Sequence, residues 1–441
     1  MTELNRSSLH GSVGEPSLEA VRFLNEVMSR HPEAISFAPG APHPKAVGDI
    51  DTERYVRGYL EHIAGGDRPA LERARRSLYE YGPSIGLIND LIADALRRDC
   101  GIDVPGTALV VTVGAQEGML LALRVLFRSP GGPARDLLAV PNPSYVGITG
   151  AARLLDIDMV PIPEADGGID VDLLAAACAE ARRAGRRIRA CYVAPDFSNP
   201  GGTRMTPAAR HRLLDLAERA DLLLLEDSAY GFTAGPDDGL PTLKSLDRTG
   251  RVVHIGTFAK ICFPGARVGY LVADQPVRAQ DGTVRPLADE IAVVKGMVTV
   301  NTSPLCQAVI GGMLLAHGGS LAELSRRGAQ TYRRNLAHLV GALDRHLPPG
   351  AVPGVHWNRP DGGFFVTMTL PVPADAALLE VSASAYGVLW TPMAPFYLDS
   401  TGDRMLRLSC SYLDPDRIDT GVARLADFLK NETGPRGGVR S

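Results

Sequence analysis

The sequence predicts an α/β protein, with a large domain on a mainly parallel sheet of seven strands and a smaller α+β domain after it. Three observations carry this. From about residue 86 to 275, apolar runs of strand length alternate with segments of helical periodicity, the pattern of βαβ units. After residue 347 that alternation gives way to a mixed set of short strands and helices. At 441 residues the chain exceeds the size at which a single core usually stops growing.

The expected strands of the large sheet are Ala108–Val113, Asp136–Val140, Met159–Ile162, Ile188–Val193, Leu222–Glu226, Val252–Thr257 and Val268–Ala273. Helices are expected between them at Gln116–Phe127, Tyr145–Leu155, Val171–Ala184 and Pro207–Ala220; the last opens on a proline, whose missing N–H is harmless in a first turn. A helical region Leu287–Ala316 leads to a long periodic segment, Ser320–Leu347, suited to joining two domains. The small domain is expected to use strands Phe364–Leu370, Val388–Thr391 and Met405–Ser409 with helices near Ala374–Tyr386 and Pro415–Leu429. An N-terminal arm, residues 1–50, with a helix near Leu18–Arg30, is expected to pack on the small domain (326–441), leaving 51–325 as the large one. The tail GPRGGVRS is expected to fray.

A hydrophobic fraction of 45% with 22% charged residues is that of an ordinary globular protein, and excludes a fibrous or disordered class. A net charge of −4 gives no electrostatic footprint for nucleic acid or anionic membrane, so small molecules are the expected partners. The polar first seventeen residues lack a secretory pattern, and the long apolar stretch Ile291–Ala316 is broken by Lys295, Asn301, Pro304 and Gln307; a cytoplasmic protein without a membrane span is expected. Six scattered cysteines, with no C-x-x-C, argue against disulfides and against a metal site.

Lys260 is the first candidate for chemistry. Only five of the 46 basic Lys and Arg residues are lysines (45, 244, 260, 295 and 430), so arginine serves almost wherever a positive charge suffices. An amine sheds its proton and forms an imine, which a guanidinium does not. Around it stand segments that are each weak. Asp227 ends a strand, where open α/β sheets place ligands, with Tyr230 three residues on; such an acidic residue is more often a helix cap. Asn199 lies in an Asn-Pro-Gly turn. Gly114-Ala115-Gln116-Glu117-Gly118 falls between a strand and a helix, where backbone N–H groups and the helix dipole receive a phosphate. Arg267 follows a Pro-Gly turn, from which a guanidinium reaches phosphate oxygens. Tyr145 offers a ring face for stacking. Arg407, inside a strand, requires an anionic partner: a substrate carboxylate or an internal carboxylate.

In this order the segments resemble the class I and II aminotransferases among the fold-type I pyridoxal-phosphate enzymes. The resemblance runs from about residue 20 to 430 through G-A-Q-x-G, P-x-Y, S-N-P-x-G, D-S-A-Y, F-x-K-x-x-x-P-G-x-R-x-G-Y and R-L-S-x-S-Y. It implies pyridoxal 5'-phosphate as cofactor and a role for each candidate. Lys260 forms the imine with the cofactor and shuttles the substrate proton. Asp227 keeps the ring nitrogen protonated, Tyr230 and Asn199 hold the phenolic oxygen, and Tyr145 stacks on the ring. Gly114, Ala115, Gln116, Thr257 and Arg267 hold the phosphate. Arg407 binds the substrate α-carboxylate, with Gly40 and Asn199 lining the same pocket. Tyr81 resembles the tyrosine that reaches the neighbouring subunit's phosphate, implying a homodimer with shared active sites.

Two positions depart from the family pattern. Ala259 stands where a serine is usual, removing a hydroxyl from the phosphate cradle at about 0.5–1.5 kcal/mol, and Asn89-Asp90 replaces a usual Leu-Arg pair. The implied reaction is ping-pong transfer of an amino group between an amino acid and a 2-oxo acid. The same lysine also supports oxidation, elimination or decarboxylation, which remain the alternative. The subgroup resembles 2-aminoadipate, kynurenine and aromatic aminotransferases, and the segment Phe23–Pro42 is similar to arylglycine-forming enzymes such as dihydroxyphenylglycine aminotransferase. No second arginine marks a pocket for an acidic side chain. Phe23, Phe364, Phe365 and Tyr397 favour an aromatic substrate, although paired phenylalanines in a strand are more often core.

Overall fold

All seven expected strands form, and they lie in one sheet with an eighth. In chain order they are β1 (Leu109–Thr112), β2 (Asp136–Asn142), β3 (Met159–Ala165), β4 (Gly168–Ile169), β5 (Arg187–Val193), β6 (Leu223–Asp227), β7 (Val252–Thr257) and β8 (Gly269–Val272). The computed structural model describes residues 3–15, 26–47, 50–128, 136–165, 167–235 and 238–433. Across the sheet the order is β1-β8-β7-β6-β5-β2-β3-β4. The central pairs β7·β6, β6·β5, β5·β2 and β2·β3 are parallel, while β8 runs antiparallel to β7 and to β1. The reason is the length of loop 258–268: a parallel return needs a crossover of about a dozen residues or more, usually helical, and this loop turns straight back. That reversal brings Lys260 and Arg267 to the same sheet edge as the end of β6. The eighth strand, β4, has two residues and no periodicity from which to read it.

Both faces of the sheet are covered, which is why its strands read as nearly continuous apolar runs. Leu138, Tyr192, Leu225 and Ile255 point into one core, shared with helices Gly114–Leu126, Val146–Leu154 and Leu287–Val298. Leu137, Cys191, Leu224 and Val252 point into the opposite core, under helices Val171–Arg183 and Pro207–Ala220. Leu224 and Leu225 are both fully buried, and truncating either to Ala should cost about 2–5 kcal/mol. Asn89, one of the atypical positions, donates its amide to the carbonyls of Ile85 and Leu109 and so fixes the entry to β1.

The expected helical region Leu287–Ala316 is two helices, Leu287–Val298 and Pro304–Ala316, separated where Val300 adopts φ +63° and Ser303 caps the second helix. Helix Leu321–His346 then spans two cores: Leu321 and Leu324 pack with Leu96 and Ile310, whereas Leu336, Leu339 and Leu343 pack with Val366, Leu408 and Leu425. No single helix among the described residues is long and apolar enough to cross a membrane.

Beyond it, an antiparallel sheet runs His356–Trp357, Phe365–Thr369, Met405–Ser409, Thr391–Pro392. The expected strand Val388–Thr391 divides around the fully buried Trp390, and its first half, Val388–Leu389, pairs instead with Ile35–Ser36 of the N-terminal arm. The expected helix Ala374–Tyr386 is a short α-helix, Ala376–Val381, continued by a π-helical turn over Ser382–Tyr386. Of the expected helix Leu18–Arg30, residues 26–30 are helical and 18–25 lie outside the described residues, as do Phe23 and the tail 434–441.

Candidate active site

The strand ends and the two turns converge on a cavity of about 450 Å³ at the carboxyl edge of the parallel strands. It brings together Gly40, Ala115, Gln116, Tyr145, Asn199, Asp227, Tyr230, Thr257, Lys260, Arg267 and Arg407. Gly114 lies immediately behind, where a Cβ would meet the Arg267 guanidinium at 2.5 Å, and its φ of +74° independently favours glycine. Tyr81, the remaining predicted site residue, stands away from the cavity, 88% exposed on the surface.

Lys260 leaves β7 on the short return loop, and its Nζ donates to the carbonyl of Gly40 at 2.7 Å. Burial lowers its pKa from the ordinary lysine value to about 8; Arg407 and Arg267 push the same way and Asp227 opposes them. Asp227 is buried at the end of β6, where burial raises its carboxyl to about 6. Its Oδ2 accepts from the Tyr192 hydroxyl at 2.7 Å, while Oδ1 is buried with no hydrogen-bond partner. The helix-cap role that an acidic strand end usually fills falls to its neighbour: Glu226 accepts from the N–H groups of Leu243 and Lys244 and from His254. Alternation along the strand puts the two carboxylates on opposite faces, one structural and one facing the cavity.

Arg407 is buried on the middle of its strand. It donates from Nη1 to Asn199 Oδ1 at 2.6 Å and from Nη2 to the Ala38 carbonyl at 3.1 Å, and lies over the rings of Phe365 (4.2 Å) and Phe396 (5.0 Å). Its Nε is buried without a partner, and burial draws its pKa down to about 10, so it stays charged at neutral pH. No internal carboxylate pairs with it among the described residues. Tyr230 is buried against Phe364 and Phe365, and burial holds its hydroxyl well above the ordinary value while Asn199 opposes the rise. Tyr145 donates to Gln116 Oε1 at 3.3 Å. Thr257 Oγ1 accepts from the Ala259 N–H at 3.1 Å, so its own proton is free to donate.

Sequence reasoning missed Tyr192, Thr391 and Phe396. Tyr192 is a polar ring in an apolar strand in register with Leu225, hence on the face of Asp227 two residues further along β6. Of the aromatic candidates, Phe365 borders the cavity and Phe364 belongs to the core beneath Tyr230, whereas Tyr397 turns aside to Met405 and Phe396 takes its place.

The family model for aminotransferase class I and II matches residues 65–425. The chain belongs to this family. Among aminotransferase relatives, it is 46% identical to an (S)-3,5-dihydroxyphenylglycine transaminase of Amycolatopsis orientalis over 97% of this chain and 95% of that one. It is 28% identical to aromatic-amino-acid aminotransferase 1 of Thermococcus litoralis, covering 91% and 89%. Among solved structures, the Pyrococcus horikoshii kynurenine aminotransferase superposes with a TM-score of 0.78 at 28% identity over 94% of each chain. The α-aminoadipate aminotransferase of Thermus thermophilus, complexed with a phosphopyridoxyl-leucine, gives 0.76 at 26% identity over 97% and 99%. The protein is therefore a pyridoxal-phosphate-dependent aminotransferase of fold type I. Its residues fit that cofactor: an orphaned buried carboxylate oxygen suits a protonated ring nitrogen, and a glycine turn beside a guanidinium at a helix N-terminus suits a phosphate.

Proposed function

We propose that this aminotransferase exchanges the amino group of a neutral aromatic or arylglycine-type L-amino acid with a 2-oxo acid, acting as a homodimer. The observation that carries the chemistry is one cavity holding an amine of lowered pKa, a buried carboxylate with an open oxygen, and a buried guanidinium with an unpartnered N–H. Bound pyridoxal phosphate supplies the carbonyl that takes up the amino group and a ring that spreads the electron pair released at the substrate α-carbon.

The chain's own residues do the rest. Lys260 would hold the cofactor through its Nζ, and as a free amine that Nζ would carry the proton to and from the substrate α-carbon; a pKa lowered to about 8 suits both directions of transfer. Asp227 Oδ1 keeps the ring nitrogen protonated, with Oδ2 occupied by Tyr192. Tyr230 and Asn199 hold the phenolic oxygen, and Tyr145 stacks on the ring. The N–H groups of the Gly114–Gln116 turn, Thr257 and Arg267 hold the phosphate. Arg407 orients the substrate α-carboxylate through its free N–H, while Phe365 and Phe396 close water away from it.

For the side chain, Met28, Pro39, Pro392, Pro395 and Phe396 make that part of the cavity wall apolar. The cations among the described lining residues, Lys260, Arg267 and Arg407, all have other tasks, which favours a neutral side chain over aminoadipate. The likeness to a dihydroxyphenylglycine transaminase points the same way. For the dimer, Tyr79, Tyr81, Val293, Met297 and Leu305 are large apolar side chains left exposed, and a second copy of the chain would cover them. We further propose domain limits near residues 50 and 325, and a cytoplasmic location, which suits six free cysteines.

The test is a panel of amino acids mixed with cofactor-loaded enzyme, following conversion of the visible band to the pyridoxamine form. Aryl side chains should convert it faster than aminoadipate. Preference for aminoadipate would overturn the side-chain reading, and ammonia release without a 2-oxo acid acceptor would overturn transamination.

A further inference from the structure

The turn assigned to the phosphate carries a carboxylate that opposes an anion. Glu117 is buried in the first turn of helix Gly114–Leu126. Its Oε2 accepts from the Val113 N–H at 2.6 Å and from Lys295 Nζ at 2.8 Å, and its Oε1 accepts from Thr299 Oγ1 at 2.5 Å. Lys295 Nζ also donates to Thr299 Oγ1 at 2.8 Å, closing the triangle. Lys295 is fully buried and comes from helix Leu287–Val298, far along the chain. Burial pulls its pKa down while Glu117 holds it up.

A negative charge beside a helix N-terminus stabilises the helix but cancels the field that attracts a phosphate there. In a buried setting the two anions repel with little screening. We infer that Lys295 is a positioning residue for the cofactor phosphate: it neutralises Glu117, so that the carboxylate organises the Val113–Gly114 turn without repelling the dianion bound to it. The inference rests on the assignment of the phosphate to the Gly114–Gln116 turn. A second of the chain's few lysines thereby acquires a task at the cofactor, by charge rather than by bond formation.

The test measures binding of pyridoxal phosphate, and separately of unphosphorylated pyridoxal, to cofactor-stripped enzyme by absorbance titration. Lys295→Met should weaken pyridoxal phosphate on the order of tenfold or more and leave pyridoxal unchanged. Glu117→Gln should bind pyridoxal phosphate as tightly as the parent or tighter. The double variant should return to within about twofold of the parent. Equal loosening by both single variants, equal loss for both ligands, or a double variant still tenfold weak would overturn the inference and leave the triangle a scaffold only. If Lys295→Met does not fold, Glu117→Gln and the double variant decide by the same criteria. Arg267→Gln separates the two levels: unchanged affinity there would overturn the phosphate assignment itself, whereas loss there with a neutral Lys295→Met overturns only the role of Lys295.

Discussion

Replacing Arg407 by lysine keeps the positive charge and removes the fork, and the two jobs of this residue then separate. In the structure Nη1 is committed to Asn199 at 2.6 Å and Nη2 to the Ala38 carbonyl at 3.1 Å, leaving Nε among the open donors. A lysine ammonium cannot serve Asn199, Ala38 and a planar carboxylate in that geometry. A hydrogen bond to a charged group is worth about 1.5–3 kcal/mol, so losing one or two toward the substrate removes about 3 kcal/mol, or roughly two orders of magnitude in kcat/KM. Arg407→Met also removes the charge that helps depress Lys260, so the Lys260 pKa rises in that variant and not in Arg407→Lys. The assay is single-turnover conversion of the visible band by the fastest amino acid of the panel and by the matching amine without an α-carboxylate. Arg407→Lys should lose the preference for the amino acid and react with the plain amine as the parent does. An equal loss for both compounds would refute carboxylate recognition by Arg407.

Tyr192→Phe deletes the donor to Asp227 Oδ2; because that bond favours the charged carboxylate, Asp227 of the cofactor-free enzyme should titrate further above about 6 than in the parent, by somewhat less than one pH unit, about 1 kcal/mol, read from its carboxylate infrared band across pH. Capture of pyridoxal phosphate by the cofactor-free enzyme needs Lys260 as the free amine, so its rate should climb with pH and level off above about 8; stopped-flow absorbance across pH 6–10 would show a midpoint nearer 10.5 if the lysine were solvated like a surface residue. Met297→Asp places a charge on one of the exposed apolar side chains assigned to the proposed dimer contact, and if that assignment holds it should shift light-scattering mass from dimer to monomer while the fold persists by circular dichroism.

The large sheet was legible because its strands are buried on both faces, and burial writes itself into sequence as runs such as Leu222–Leu225. The eighth strand and the split of Val388–Thr391 were not, since two-residue strands are defined by their partners, and Val388 finds its partner in the distant Ile35. The same holds in the site. Lys260, Asp227, Asn199 and Arg267 sit in turns whose local chemistry is visible, whereas Tyr192 acts through pairing of β5 with β6 and Phe396 through a short 3₁₀ turn. Ala38 was illegible for a different reason: it contributes a carbonyl, which every residue has.

That last point reaches beyond one contact. Along the arm, the carbonyl of Ala38 receives Arg407, that of Gly40 receives Lys260 and that of Ala41 receives Ser411. Those bonds survive most changes of side chain, Gly40 excepted, where a Cβ would come within 2.8 Å of Phe365. The side chains of Met28 and Pro39, on the same arm, face the cavity instead. On the proposed assignment, the arm divides its work between a main chain that holds Arg407 and Lys260, the groups acting on what all amino acids share, and side chains that face what distinguishes them. Mutation can retune the second while the first is kept.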